Sequence, residues 1–151
     1  MQDAAARIAA LSAVTETLRH SARVLIIGGG VVGVELAAEV VHYHPRAIVT
    51  VADVASRLLA TLPRSASDAA ADALRARGVR LLLGAPLTRV DPPLITEGGA
   101  PAPQHAFVAP SGEMVPADAV FMCVGARPNS ACLMNSIPLD ERGYAASALI
   151  A

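Results

Sequence analysis

A glycine-rich turn between an apolar run and a helical segment constrains the fold of this chain more than any other feature. Residues 24–27 are all apolar, as in a buried β-strand, and the residues after position 33 have the pattern of a helix. Between them the spacing Gly-x-Gly-x-x-Gly places glycines at Gly28, Gly30 and Gly33. The first permits a tight turn, the second removes a Cβ near the helix start, and the third lets the helix pack closely on the strand.

This strand–turn–helix order predicts a dinucleotide-binding site. The free N–H groups and the positive dipole end at the start of the helix would face a pyrophosphate group. The predicted contacts are Gly28, Gly29, Gly30, Val31, Val32 and Gly33. A glycine-rich turn that binds no ligand is the alternative.

A carboxylate at the end of the next apolar run supports the prediction. Residues 47–51 read as a second strand that leads to Asp53, about 20 residues after Gly33. A carboxylate at this distance can accept hydrogen bonds from an adenosine ribose. It would also repel the 2′-phosphate of NADPH, which favours NADH as the cofactor and leaves NADPH as the alternative.

Three further residues are candidates for the same site. Glu35, in the first turn of the helix, could interact with the helix dipole or reach the nicotinamide end of a cofactor. Arg57 could bind a 2′-phosphate, although a solvated loop charge is the simpler interpretation. Gly125 ends a later strand, where a missing side chain would let a cofactor approach the backbone.

The predicted elements alternate between strands and helices and then change character. After residue 85 the chain is rich in proline and shows short strand-like pieces around a Ser111-Gly112 hairpin turn and a loop over 91–104. Helices are predicted over 4–19, 31–43 and 63–76, and strands over 23–27, 47–52, 79–83, 87–90, 106–109, 113–115 and 119–124. The expected fold is therefore α/β: a Rossmann-like parallel sheet with helices on both faces and an inserted antiparallel β-meander.

Length and composition agree with a single domain over 1–151. The 151 residues are 54% hydrophobic with a mean hydropathy of +0.48, and the net charge of −1 gives no basic field for nucleic acid. No uncharged apolar run reaches transmembrane length and no signal peptide is apparent, so an intracellular location, cytoplasmic or mitochondrial, is expected. All 12 basic residues are Arg, which excludes a Schiff-base lysine and the lysine of a Walker A loop.

The cysteines and histidines do not form a metal or redox motif. Cys123 and Cys132 lack the Cys-x-x-Cys spacing, and Cys123 reads as a small buried hydrophobe. The four histidines are scattered, so no metal ligand is predicted. No residue of this chain is predicted to be catalytic by itself.

Taken together, these motifs resemble the NAD(P)H-binding domain of the FAD-dependent pyridine nucleotide-disulfide oxidoreductase family. Within that family the chain looks most similar to the AIF-like, ferroptosis-suppressor-type and type II NADH dehydrogenase branch, which uses no redox disulfide. The segments that carry the resemblance are Gly28-Gly29-Gly30-Val31-Val32-Gly33-Val34-Glu35-Leu36-Ala37, Arg57-Leu58-Leu59, Arg77-Gly78-Val79 and Cys123-Val124-Gly125-Ala126-Arg127-Pro128-Asn129.

The resemblance implies that this chain is one part of a longer flavoprotein. Full-length members of the family have an FAD-binding segment, with a second glycine-rich turn and a Gly-Asp motif, and an interface domain. Neither the second turn nor a Gly-Asp pair occurs here. The implied function is to position a nicotinamide for hydride transfer to FAD held on a domain outside this sequence. Its implied partners are a nicotinamide dinucleotide and that FAD-binding domain, and the isolated chain is not expected to be active.

Two alternatives remain from the sequence. The first is a stand-alone, non-catalytic nucleotide-binding or interaction domain, which the missing FAD portion suggests. The second is a different Rossmann enzyme, such as a methyltransferase or a simple dehydrogenase. The inserted meander disfavours the second alternative, and a Tyr-x-x-x-Lys pair is impossible in a chain without Lys.

Overall fold

A computed structural model describes residues 3–90, 102–125, 128–130, 132, 135–142 and 144. Within these residues there are three helices and seven strands, which alternate as far as the third strand and are followed by four more strands. Their bounds agree with the predictions to within two residues. The elements are α1 (Ala4–His20), β1 (Arg23–Ile27), α2 (Val31–Tyr43), β2 (Ile48–Asp53), α3 (Arg64–Arg75), β3 (Arg80–Leu83), β4 (Thr88–Val90), β5 (His105–Val108), β6 (Met114–Ala117) and β7 (Ala119–Met122).

Four parallel strands form the central sheet, in the order β3-β2-β1-β7. Strand β1 lies in the middle, with Ile27 in register with Ala52 of β2 on one side and Met122 of β7 on the other. The predicted Rossmann-like parallel sheet is thereby confirmed. Because all four strands run the same way, the residues that follow them gather at one edge of the sheet.

The helices α2 and α3 cover one face of this sheet. Their buried residues pack against the β1 and β2 side chains that point to the same face, and each fully buried aliphatic side chain contributes about 1.5–3 kcal/mol to stability. The buried cluster consists of Val24, Ile26, Ala37, Val40, Val49, Val51, Leu58, Ala71, Leu74 and Val79.

The second face is covered by a β-meander rather than by a helix. Strands β4, β5 and β6 form an antiparallel sheet, and Gly112, with φ +83°, lies in the predicted hairpin turn. Phe107 and Val115 of the meander pack against Leu25 of β1. The expectation of helices on both faces is therefore wrong, because the apolar face of a small antiparallel sheet buries the parallel sheet equally well. Most of the predicted 91–104 loop lies outside the described residues.

Helix α1 forms where it was predicted, but it buries none of its residues. The apolar residues Ile8, Leu11 and Val14, whose spacing predicts the helix, are 65%, 62% and 43% exposed. Only Leu18, near its end, packs against the core of the domain. Among the described residues, no helix is both long enough and apolar enough to cross a lipid bilayer.

A half-buried ion pair joins the start of β1 to the start of β7. The Arg23 guanidinium donates to both Asp118 carboxylate oxygens, at 2.6 and 3.2 Å, and the N–H groups of Ala22 and Arg23 also donate to Asp118 Oδ2. Burial by itself raises the pKa of Asp118, but the hydrogen bonds and charge of Arg23 and the N–H of Ala22 outweigh it. The pKa of this carboxyl therefore lies below its ordinary value.

Candidate dinucleotide-binding site

The turn between β1 and α2, residues 28–33 and called here the glycine turn, is fixed by two very close backbone approaches. Gly28 has φ +116°, and a Cβ there would lie 2.5 Å from the carbonyl oxygen of Cys123. A Cβ at Gly33 would lie 1.8 Å from the carbonyl oxygen of Gly28. The sequence predicted a glycine at Gly28 for a tight turn and at Gly33 for close packing of helix on strand. The positive φ and the short distances agree with both reasons.

Gly30 has a different environment. It is the N-cap of α2, with ordinary extended dihedral angles, and a Cβ there would meet no atom within 4 Å. No side chain caps the helix, so the N–H groups of its first turn have no side-chain acceptor. Val31 and Val32 are exposed beside them. A bound anion could therefore approach the backbone at this point and accept hydrogen bonds from it.

Asp53 is already bonded to the glycine turn. Its Oδ2 accepts a hydrogen bond from the Gly29 N–H, and its Oδ1 accepts one from the Ala55 N–H at 2.7 Å. A carboxylate oxygen has two lone pairs, so both oxygens retain capacity for a ribose hydroxyl. The sequence predicted a ribose ligand at this position; the structure adds a bond that holds the turn.

Arg57 is folded back onto its own loop. Its Nη1 donates to the carbonyl oxygens of Leu62, at 3.0 Å, and Leu59, at 3.4 Å, and its Nη2 donates to that of Ala60. The side chain is half-buried. The guanidinium is thus directed at backbone carbonyls in this structure. Both expectations for Arg57, a solvated loop charge and a 2′-phosphate ligand, stay predictions.

The residues after Arg57 contact the glycine turn directly, which the sequence analysis missed. Leu58 is completely buried, and the Leu59 N–H donates to the Gly29 carbonyl oxygen at 2.8 Å. Leu59 has φ +49°, an uncommon value for a non-glycine residue. The family resemblance singled out the segment Arg57-Leu58-Leu59, but no local pattern indicates a leucine in this conformation, so the contact itself was not predicted.

The other predicted residues lie at the same edge of the sheet with fewer contacts. Glu35 is exposed on α2. Gly125 has φ +71°, and a Cβ there would meet nothing within 4 Å, so its conformation rather than a close approach favours glycine. Cys123 packs beside Gly33, and burial raises the pKa of its thiol, as expected for an inert packing residue. The neighbouring Ala126 and Arg127 lie outside the described residues.

The depression beside the glycine turn is too small to enclose a ligand. The depression between Gly28, Asp53 and Val124 has a volume of about 60 Å³, far smaller than the roughly 300 Å³ or more of ordinary ligand pockets. Within the described part of the chain, no cluster of three or more His, Cys, Asp or Glu side chains could hold a metal ion.

Comparison with known proteins places nearly the whole chain in one family. The model of the pyridine nucleotide-disulphide oxidoreductase family matches residues 3–147, so the chain belongs to this family. Among curated relatives, oxidoreductase OXR1 of Ajellomyces capsulatus is 32% identical over 80% of this chain and 26% of its own length. Rubredoxin-NAD(+) reductase of Pseudomonas putida is 36% identical over 74% of this chain and 27% of its own length.

Solved structures show the same fold. The water-forming NADH oxidase of Lactobacillus brevis, bound to NADH, superposes with a TM-score of 0.67 at 22% identity, over 87% of this chain and 27% of the oxidase. The chain spans about a quarter to a third of the length of the curated relatives it matches. The family prediction is confirmed, while the narrower branch stays a prediction.

Proposed function

We propose that this chain is the NAD(P)H-binding domain of an FAD-dependent oxidoreductase and that it prefers NADH. The observation that carries the proposal is the open N-terminus of α2 at Gly30, where a Cβ would meet nothing within 4 Å. A pyrophosphate group placed there would accept hydrogen bonds from the first N–H groups of α2 and lie at the positive end of the helix dipole.

Asp53 supports the assignment of the adenosine half of the cofactor. Its two carboxylate oxygens lie at the carboxyl end of β2, beside the Gly29 peptide, and each retains a lone pair. A ribose hydroxyl could donate to either oxygen. The bound cofactor would then extend from β2 across the glycine turn towards β7 and Gly125.

The preference for NADH follows from charge. A 2′-phosphate beside the Asp53 carboxylate would be repelled by about 1 kcal/mol in water and about 4 kcal/mol at a protein surface, for charges 4 Å apart. Arg57 does not offset this repulsion, because its guanidinium donates to three backbone carbonyls. NADPH would therefore bind more weakly than NADH.

The open site supports a role as one half of a two-domain arrangement. Apolar side chains are exposed around it, and contiguous exposed apolar surface is typical of interfaces. These residues are Val31, Val32, Val54, Met122 and Val124. A flavin-bearing domain of the same protein would cover them and complete the nicotinamide pocket. A bound nicotinamide would supply a hydride for the flavin, and the role of this chain would be to bind and orient the nicotinamide.

Calorimetric titration of the 151-residue chain with NADH, NADPH, FAD and S-adenosylmethionine tests the proposal. We expect binding of NADH, weaker binding of NADPH, and none of FAD or S-adenosylmethionine. Tight FAD binding, or the absence of binding by either nicotinamide nucleotide at millimolar concentration, would contradict it. The exposed Glu39→Gln variant, one turn beyond Glu35 on α2, is a control for non-specific charge effects.

A further inference from the structure

One side chain bridges the segment of residues 57–62, called here the Arg57 loop, and a hydrogen bond from the Leu62 N–H to the Leu59 carbonyl oxygen, at 2.8 Å, closes the same segment. The Arg57 guanidinium donates to the carbonyl oxygens of Leu59, Ala60 and Leu62. These three acceptors belong to residues that follow Arg57 in the chain, so the guanidinium closes the loop around itself. A planar, fully charged group with five N–H donors is suited to such a bridge, and an ammonium group is not.

The Arg57 loop in turn holds one side of the Gly29 residue. The Leu59 N–H donates to the Gly29 carbonyl oxygen at 2.8 Å, while the Asp53 carboxylate accepts from the Gly29 N–H. Both polar backbone groups of Gly29 are therefore bonded to residues at or beyond the end of β2. The Gly29 carbonyl belongs to the peptide whose N–H is that of Gly30, the N-cap of α2.

Two further observations show that the surroundings of the loop impose its conformation. Leu59 has φ +49°, a conformation that costs a non-glycine residue about 1 kcal/mol or more and persists only when its surroundings impose it. Leu58 is completely buried, and its Cδ2 would lie 2.7 Å from a Cβ built on Gly29. The buried Leu58 fixes one end of the loop beneath the glycine turn, and the Arg57 bridge contacts the remainder together with the Leu62 N–H to Leu59 carbonyl hydrogen bond.

We infer that Arg57 is a positioning residue for the glycine turn and does not bind the cofactor phosphate. It orders the Arg57 loop, which places the Leu59 N–H on the Gly29 carbonyl and so sets the orientation of the Gly29–Gly30 peptide. This inference rests on the proposed nucleotide site. It implies that Arg57 affects the affinity for NADH and NADPH by the same factor, because both carry the same diphosphate, and that Asp53 determines the preference between them.

The test compares Arg57→Ala and Arg57→Lys with an Arg64→Ala control in the 151-residue chain. The Arg64 side chain is 83% exposed and forms only a 3.8 Å ion pair with Asp68. We expect Arg57→Ala to weaken NADH and NADPH by the same factor, about tenfold, with an unchanged ratio of the two dissociation constants. Arg57→Lys retains the charge but not the bridge, so we expect it to recover less than half of the lost binding free energy. The control should bind as the wild type does.

Hydrogen exchange of single amides separates this local effect from a general loss of stability. The Leu59 amide should exchange at least about tenfold faster in Arg57→Ala, while the amide of the buried Val51 in β2 keeps its wild-type rate. A purely structural role would accelerate both amides together.

Equal acceleration of the Leu59 and Val51 amides would overturn the inference, and so would either of two further results. One is a selective loss of NADPH affinity in Arg57→Ala with recovery in Arg57→Lys, which would make Arg57 a phosphate ligand. The other is an unchanged exchange rate at Leu59. If the wild-type chain binds no nicotinamide nucleotide, the proposed function fails, and the exchange rates still decide whether Arg57 orders the loop.

Discussion

The carbonyl oxygen of Gly28 lies directly against Gly33, where a Cβ would come within 1.8 Å of it. This contact joins the exit of β1 to the first turn of α2, so the strand and the helix share one backbone junction. Real Cβ atoms do not approach an oxygen so closely, and the neighbouring atom is backbone that cannot rotate away.

Gly33→Ala should therefore destabilise the domain. The methyl group would push α2 away from β1, and overpacking of this kind costs about 1–3 kcal/mol. Urea unfolding followed by circular dichroism would measure the change. A substitution that leaves the free energy of unfolding within about 0.5 kcal/mol of wild type would contradict the contact.

Gly30→Ala should leave stability unchanged and weaken NADH binding. Its dihedral angles suit alanine and the added Cβ would meet nothing within 4 Å, so the free energy of unfolding should stay close to the wild-type value. NADH affinity should fall at least about tenfold, because the methyl group would occupy the proposed phosphate position. Unchanged affinity in a folded variant would place the phosphate elsewhere.

Asp53→Asn should affect both the turn and the cofactor preference. The carboxylate now accepts hydrogen bonds from two N–H groups, and the amide NH₂ of asparagine would face one of them. The lost hydrogen bond would lower stability by about 1–3 kcal/mol. With the negative charge removed, the dissociation constants for NADPH and NADH should become more nearly equal. Asp72→Asn, on an 81% exposed side chain of α3, is the matched control. A preference that Asp53→Asn does not alter would remove Asp53 from the ribose site.

The Arg23–Asp118 pair should make stability depend on pH in acid. The pKa of Asp118 is lowered from 3.8 in the folded chain, so the unfolded state binds the proton more readily. The stabilisation is complete above about pH 5 and is lost as the pH falls below 3.8 through the folded pKa.

Asp118→Asn should thus lose about 2 kcal/mol of unfolding free energy at pH 7, and the difference from wild type should shrink towards pH 3. Urea unfolding of both proteins at several pH values would measure this difference in unfolding free energy. Asp68→Asn removes a 64% exposed carboxylate from a surface pair and should change stability by less than about 0.5 kcal/mol. A difference that is equal at pH 3 and pH 7 would show that the Asp118 charge is not responsible.

The sequence predicted the parts of the fold that local chemistry determines. Strand β1 and helix α2 were predicted with their observed bounds, because an apolar run, the glycine turn and the proline after His44 define both ends. The parallel arrangement followed from the alternation of strands and helices. The sequence did not predict that the β-meander covers the second face of the parallel sheet, because short amphipathic strands and a helix can bury the same surface.

The arrangement of the polar groups could be predicted only in part. The position of Asp53 at the end of β2 follows from its distance to the glycine turn. The inward fold of Arg57 and the left-handed Leu59 do not, because both depend on backbone groups that tertiary structure brings together. The pairing of Arg23 with Asp118 bridges 95 residues, a separation over which one sequence carries no pairing signal.

The contact of Gly28 with the carbonyl of Cys123 affects the order in which segments of the chain fold during synthesis. Strand β1 stays unpaired on one side, and its turn unsupported, until β7 has been synthesised and has joined the sheet. Contacts between such distant segments form late and slow the folding of a domain. During translation, the region that we propose binds the nucleotide is encoded early but should become competent only after residue 123 has left the ribosome.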